Sequence, residues 1–276
     1  MKKPADLQLS PAAAENPAGL VILAYAITIF VSAFLLFQVQ PLISKFILPW
    51  FGGSPAVWTT AMLFFQVVLF GGYLYAHLTS TFLGPRGQLV LHLVLLAAAG
   101  AVTLATFISP SESLKPRGDE SSPALLILVL LAATVGLPYF VLSSTGPLLQ
   151  KWFSDAFHGA SPYRLFALSN VGSLLALVSY PFFFEVRFDS REQAILWSCG
   201  FVLFAAVCSF CAWYTFRARQ AATGVAKVAT AKSQSPESAP IARWQWAAWL
   251  FLPALASVMF LAMTNEVCQN VATVPL

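Results

Sequence analysis

The chain has 276 residues, of which 58% are hydrophobic and only 9% are charged, with a formal net charge of +4. Soluble domains carry a charge on about a quarter of their residues, so this composition excludes a water-soluble globular protein. The small positive charge fits lysines and arginines that face the inner leaflet of a membrane, and it indicates no nucleic-acid partner.

Residues 1–17 form a polar leader that we expect to lie in the cytoplasm. Lys2 and Lys3 are followed only later by an apolar stretch, and that stretch is long enough to span a bilayer. A cleaved signal peptide has its apolar core directly after the basic residues. The sequence therefore predicts that the first helix is retained.

Seven apolar stretches follow, each near the length that a helix needs to cross the hydrocarbon core. The stretches run over 20–37, 56–79, 88–107, 123–149, 163–184, 193–214 and 244–264. We expect a six-helix bundle over 18–214, a flexible cytoplasmic linker over 215–243, and a seventh helix with the start of a truncated continuation over 244–276. The predicted fold class is all-α, a polytopic membrane protein.

Two stretches interrupt the apolar pattern and predict irregular backbone at membrane depth. The stretch 38–58 contains two glutamines, a lysine and three prolines, and we expect a discontinuous helix around Lys45, between Pro41 and Pro49, with continuation of the first helix past Pro41 left open. Pro138 and the run 143–147 predict a second interruption, in the fourth helix. Irregular backbone within a bilayer must be buried in protein or line a cavity, so both stretches are candidates for a cavity wall.

The distribution of basic residues predicts the orientation of the bundle. With the N-terminus inside, ten basic residues lie on the cytoplasmic side and five on the outer side. The inner set is Lys2, Lys3, Arg86, Lys151, Arg164, Arg217, Arg219, Lys227, Lys232 and Arg243, and the outer set is Lys45, Lys115, Arg117, Arg187 and Arg191. The positive-inside rule therefore predicts a cytoplasmic N-terminus and linker, with the loops 109–122 and 185–192 outside.

Several motifs in these segments carry a family resemblance. They are QPLISK at 40–45, LP at 48–49, GGSPAVW at 52–58, GYLYAH at 72–77, LSSTGPLLQ at 142–150 and LSNVGS at 168–173. Over nearly its whole length, the chain resembles the N-terminal membrane portion of the bacterial fused major-facilitator/spermidine-synthase-like transmembrane protein family.

The resemblance implies a bacterial inner-membrane protein whose bundle is like the first half of a major-facilitator fold. Many members of that family also carry a soluble domain similar to aminopropyltransferases. This sequence contains no glycine-rich nucleotide loop after a strand, so we expect no enzymatic activity and no cofactor in this chain.

Polar residues in the apolar segments are the candidates for a cavity lining, because such groups at membrane depth are costly and commonly mark a pathway. The set is Gln38, Gln40, Lys45, Gln66, Gln150, Asn170 and Glu266. Lys45 either neutralises an anionic ligand or a buried carboxylate, or extends to the outer headgroups. Glu266 either serves proton or cation recognition, pairs with Lys45, or lies at a frayed end.

Two histidines leave a further alternative open. His77 and His92 lie on either side of the turn at Pro85, at similar depth in a helical hairpin. Two imidazoles at one depth permit a bridged haem or metal, but membrane histidines more often satisfy a nearby carbonyl or hydroxyl. We therefore predict no metal site here.

Two alternative roles are also considered for the cysteines and for a group of small residues. Cys208 and Cys211 have the spacing of redox or zinc motifs, but zinc needs two further ligands, and we predict small buried hydrophobes. Ser169 and Ser173, beside Gly172, form a small-residue stripe that predicts close helix packing, with substrate lining as the alternative.

Together these features predict a transporter-like membrane domain with an inner polar cavity for a small solute or lipid-like molecule. The alternative is a non-catalytic accessory or scaffold subunit of a larger membrane complex that bears redox groups or pigments, because half a transporter lacks the opposite bundle. Membrane lipids are expected partners in both cases, and in the alternative other membrane subunits dock on the seventh helix.

Overall fold

A computed structural model describes residues 17–52, 54–116, 122–157, 163–226 and 243–270. These residues are helical, apart from short connections and a 3-10 turn at Glu112–Leu114, and none of them forms a β-strand. The helices are α1 (Pro17–Phe51), α2 (Pro55–Phe82), α3 (Pro85–Thr106), α4 (Pro123–Ala156), α5 (Tyr163–Arg187), α6 (Ser190–Ala226) and α7 (Arg243–Asn270).

The helices α1 to α6 each contain a segment long and apolar enough to cross a membrane. The prediction of an all-α, multi-pass membrane protein is therefore confirmed. The chain divides into two compact units, Met1–Val225 and Ala226–Leu276. The first unit holds α1 to α5 and nearly all of α6, and the second unit holds α7.

Helix α1 is continuous: it passes Pro41, the alternative that the sequence left open, and the expected discontinuity between Pro41 and Pro49 is wrong. It runs for 35 residues through Pro41 and Pro49. Each proline removes one helical N–H donor, and membrane helices tolerate this loss where neighbouring elements pack around them. The helix ends instead at Gly52, which has a φ of 80° and donates its N–H to the carbonyl of Leu48 at 2.8 Å. Glycine adopts this left-handed conformation without a steric penalty, which explains the end point.

The interruption expected in the fourth helix is a local π-helical turn rather than a break. The turn covers Ala132–Gly136, directly before Pro138, and the helix then continues through Pro147 to Ala156. A second π-helical turn, Tyr180–Phe184, surrounds Pro181 in α5, and the sequence analysis did not predict it. Such turns widen the helix by one residue, which changes the direction of the side chains that follow.

Small residues set the closest helix contacts in the first unit. A Cβ on Gly172 would lie 2.7 Å from the carbonyl oxygen of Phe30, so α5 packs directly on the backbone of α1. A Cβ on Gly72 would collide with the hydroxyl of Ser143, which brings α2 against α4. The predicted packing role of the stripe around Gly172 is therefore confirmed.

Helices α1 and α4 form the centre of this unit. Half of their most apolar segment is buried, whereas the other spans bury between 22% and 39%. Helix α6 contacts α1 through a long side chain: the indole N–H of Trp197 donates to the carbonyl of Leu35 at 2.9 Å. Helix α6 also continues to Ala226, twelve residues beyond the predicted end at Tyr214. The leader up to residue 16 and the linker residues 227–242 lie outside the described residues.

Candidate functional site

A cavity of about 520 Å³ lies between α1, α2 and α5. Most of its wall is apolar, with Leu48, Trp58, Met62, Phe65 and Leu177 among the contributing residues. Its polar groups belong to Gln40, Ser44, Lys45, Tyr180 and Glu185. A volume of this size with a few convergent polar groups is typical of a small-molecule site.

An ion pair crosses the cavity wall from α1 to α5. Lys45 Nζ lies 3.1 Å from Glu185 Oε1, and the two side chains are 31% and 46% exposed. The sequence predicted an anionic ligand, a buried carboxylate or Glu266 as the partner of Lys45, and the carboxylate that the structure pairs with it is that of Glu185. The sequence did contain a signal for this pair, because Lys45 and Glu185 were both predicted on the outer side of the membrane.

Hydrogen bonds fix the polar groups that α1 contributes to the cavity. Gln40 Nε2 donates to the hydroxyl oxygen of Tyr139 on α4 at 3.2 Å. Ser44 Oγ donates to the carbonyl oxygen of Gln40 at 2.8 Å. Tyr139 is fully buried, so Gln40 is held between the cavity and the packed centre of the unit.

Tyr180 contributes a polar group that no described residue satisfies. The residue is only 6% exposed, and its hydroxyl is buried without a hydrogen-bond partner among the described residues. A buried hydroxyl that lacks a partner costs about 1–3 kcal/mol. The hydroxyl is enclosed, so a molecule in the cavity could bond to it only after the Tyr180 ring turns. The π-helical turn that begins at Tyr180 sets this side chain and, one turn later, Glu185 in the same wall.

Of the predicted lining residues, the structure brings Gln40 and Lys45 together in this cavity. Four others do not line it: Gln38 is buried elsewhere on α1, Gln150 is half-buried on α4, and Gln66 and Asn170 are exposed. Glu266 belongs to the second unit, where it is exposed on α7.

Helical geometry explains why two of these predicted residues do not line the cavity. The face of α2 that lines the cavity carries Trp58, Ala61, Met62 and Phe65, and Gln66 lies beside this face, on its exposed side. Asn170 is also exposed, because Gly172 faces α1 and a residue two positions away points in the opposite direction.

A smaller cavity of about 90 Å³ lies between α1, α2, α4 and α5. It follows the same three helices as the larger cavity, about one turn away along each. Ser169 and Ser173 line it, so the small-residue stripe borders a cavity as well as packing closely, and its role in lining a substrate site stays a prediction.

The two histidines do not share a site. His77 is exposed, whereas His92 is buried and packs its ring edge-on against Trp152. The Nδ1 atom of His92 lies 3.5 Å from the hydroxyl of Tyr75, and Nε2 lies 3.9 Å from Cys208 Sγ. Both ring nitrogens therefore have protein neighbours, and no group of three or more metal-ligating side chains occurs in the described part of the chain.

The cysteines of α6 differ in exposure. Cys208 and Cys211 are buried, as predicted for small hydrophobes, and Cys199 is exposed.

No family model, no curated protein and no solved structure matches this chain. The resemblance found in the motifs therefore stays a prediction, and the case for function depends on the cavity geometry.

Proposed function

We propose that the chain is a transporter-like membrane domain that binds a small solute or lipid-like molecule in the cavity between α1, α2 and α5. The observation that carries the proposal is the largely apolar cavity of about 520 Å³, whose wall holds the Lys45–Glu185 ion pair and the Tyr180 side chain. A turn of the Tyr180 ring would bring its unpartnered hydroxyl to a bound molecule, and the hydrogen bond would remove the cost of its burial.

The lining also favours a ligand with an apolar body and a polar head. Trp58, Met62 and Phe65 provide apolar surface on one wall. Lys45 and Glu185 provide one positive and one negative group at 3.1 Å from each other, so their net charge is zero. A neutral or zwitterionic head group is favoured over a singly charged one, because it adds no uncompensated charge in a low-dielectric site.

The transport role is supported by two features. The motif resemblance points to the first half of a major-facilitator bundle, and the two cavities follow α1, α2 and α5 in series. Rocking of this bundle against a second one would expose such a path alternately to the two sides of the membrane. Under this proposal the chain is multi-pass in a bacterial inner membrane, with its N-terminus in the cytoplasm.

The variant Tyr180→Phe tests the binding site. Native mass spectrometry of the detergent-purified protein would measure adducts with two zwitterionic probes, phosphatidylethanolamine and glycine betaine. We expect about three- to tenfold weaker binding of the accepted probe, since one hydrogen bond is lost. The thermal stability should stay equal or rise, because the hydroxyl has no protein partner to lose.

The matched control is Tyr25→Phe. Tyr25 is also fully buried, but its hydroxyl contacts Thr215 on α6, and it lines neither cavity. This variant should lower the stability and leave probe binding unchanged. Equal binding by Tyr180→Phe and the unaltered protein would contradict the proposal, and co-purifying polypeptides with haem or pigment would favour the scaffold alternative.

A further inference from the structure

We infer that the smaller cavity is a binding site for a monovalent alkali-metal cation. It lies near the middle of the membrane-spanning part of α1, where α1, α2, α4 and α5 meet. The polar side chains that line it are Ser32, Tyr73, Ser143, Ser169 and Ser173, and all of them carry hydroxyl groups. No side-chain nitrogen lines the cavity, so its polar surface consists of oxygen atoms.

The hydroxyl hydrogens of three of these serines are already used within their own helices. Ser32 donates to the carbonyl of Ile29 at 3.0 Å, Ser143 to that of Phe140 at 2.8 Å, and Ser173 to that of Ser169 at 3.0 Å. A serine hydroxyl has one hydrogen and two lone pairs, so these groups can offer only lone pairs to a guest. These three hydroxyls therefore act as acceptors towards the cavity, whereas those of Tyr73 and Ser169 can either accept or donate.

Pro147 adds a further acceptor. Because proline has no amide hydrogen, the carbonyl of Ser143 lacks its usual helical donor four residues later. Ser143 and Pro147 both line the cavity, so we infer that this carbonyl is available to a guest there. Carbonyl groups released in this way are used for sodium coordination in membrane transporters.

The charge and size of the site select among possible guests. Divalent cations favour carboxylates and anions favour a basic side chain, and neither an acidic nor a basic side chain lines the cavity. A water molecule takes about 30 Å³ in the liquid, so about 90 Å³ accommodates a largely dehydrated alkali-metal ion with one or two waters. The hydroxyl of Ser143 is also wedged against Gly72, which fixes its position.

The experiment measures thermal unfolding of the detergent-purified full chain in NaCl, KCl and choline chloride at equal ionic strength. Binding to the folded state should raise the melting temperature by about 3 °C per tenfold increase in the preferred cation above its dissociation constant. Choline is too large for the cavity and should have no such effect. Equilibrium dialysis with radioactive sodium or rubidium should show saturable binding to the unaltered chain.

Ser143→Ala should abolish this cation response, since it removes a buried ligand without adding volume. Ser144→Ala is the matched control, because Ser144 is equally buried, makes the same type of bond to Val141 at 2.9 Å and does not line the cavity. Pro147→Ala restores a donor for the Ser143 carbonyl, so we expect a weaker cation response with equal or higher basal stability.

Equal melting temperatures in alkali and choline salts, with no saturable binding to the unaltered chain, would show a water-filled cavity and overturn the inference. An equal cation response in Ser143→Ala and Ser144→Ala would do the same. The inference does not depend on the solute site, because Tyr180 lies in the other cavity and Tyr180→Phe should keep the full cation response.

Discussion

At the scale of single residues, Lys45 shows how a costly polar group in a membrane protein is accommodated. It pairs with Glu185 across α1 and α5 in the wall of a cavity, and its extension to the headgroups stays an open alternative. The pair is partly exposed, so its contribution to stability is about 0.2–1 kcal/mol, and its larger effect is on the charge that a ligand meets.

Lys45→Met should therefore impair ligand retention much more than Lys45→Arg, which keeps the charge opposite Glu185. Removing the lysine leaves a carboxylate without its partner, whereas the exchanged pair Lys45→Glu with Glu185→Lys should recover most of the lost binding. Probe binding by native mass spectrometry and melting temperature would be measured for each variant. Equal, near-unaltered behaviour of the Met and Arg variants would leave Lys45 as a simple interface anchor.

Lys151→Met provides the control for that series. Lys151 forms a comparable pair with Asp155 at 2.9 Å, but this pair lies within one helix, α4, outside both cavities. Its loss should change stability by a few tenths of a kcal/mol, the usual value for pairs of this spacing, and leave probe binding unaffected.

At the scale of helices, the sequence predicted which segments are helical better than it predicted irregularities within each helix. Each apolar run became a helix, because the bilayer length and the hydropathy of the run constrain it strongly. The effect of Pro41 could not be predicted from hydropathy and length, since a proline either breaks or merely perturbs a helix according to what packs around it. The same limit applies to Pro181, where the outcome is a π-helical turn that places Tyr180 and Glu185 in the cavity.

The termination of α1 gives a test at this scale. Gly52→Ala should destabilise the protein by about 1 kcal/mol, because a side chain at a φ of 80° is strained although nothing lies within 4 Å of its Cβ position. Gly84→Ala is the control, since Gly84 also has open space around it but has a φ of −67°. Equal melting temperatures for the two variants would contradict the proposed role of Gly52 as the end of the helix.

At the scale of the whole molecule, side-chain placement within the bundle limited what could be predicted. The composition sufficed for an all-α membrane protein, and the polar residues of the stretch 38–58 included Gln40 and Lys45 of the observed cavity. Gln66 and Asn170 were predicted to line the cavity but lie outside it, because polarity alone does not tell which face of a helix turns inward. Tyr180 was missed because nothing in an apolar run distinguishes a tyrosine with a satisfied hydroxyl from one without.

Orientation in the membrane is the last prediction at this scale, and it depends on the ten-to-five asymmetry of basic residues. Single cysteines at Ser113 and Ser233, in a chain without its native cysteines, would be labelled in intact cells with a membrane-impermeant maleimide. Ser113 is exposed in the 3-10 turn after α3, so it should react from outside, whereas Ser233 should react only after the membrane is opened. Labelling of Ser233 in intact cells, with Ser113 protected, would reverse the topology and place the Lys45–Glu185 cavity at the cytoplasmic side.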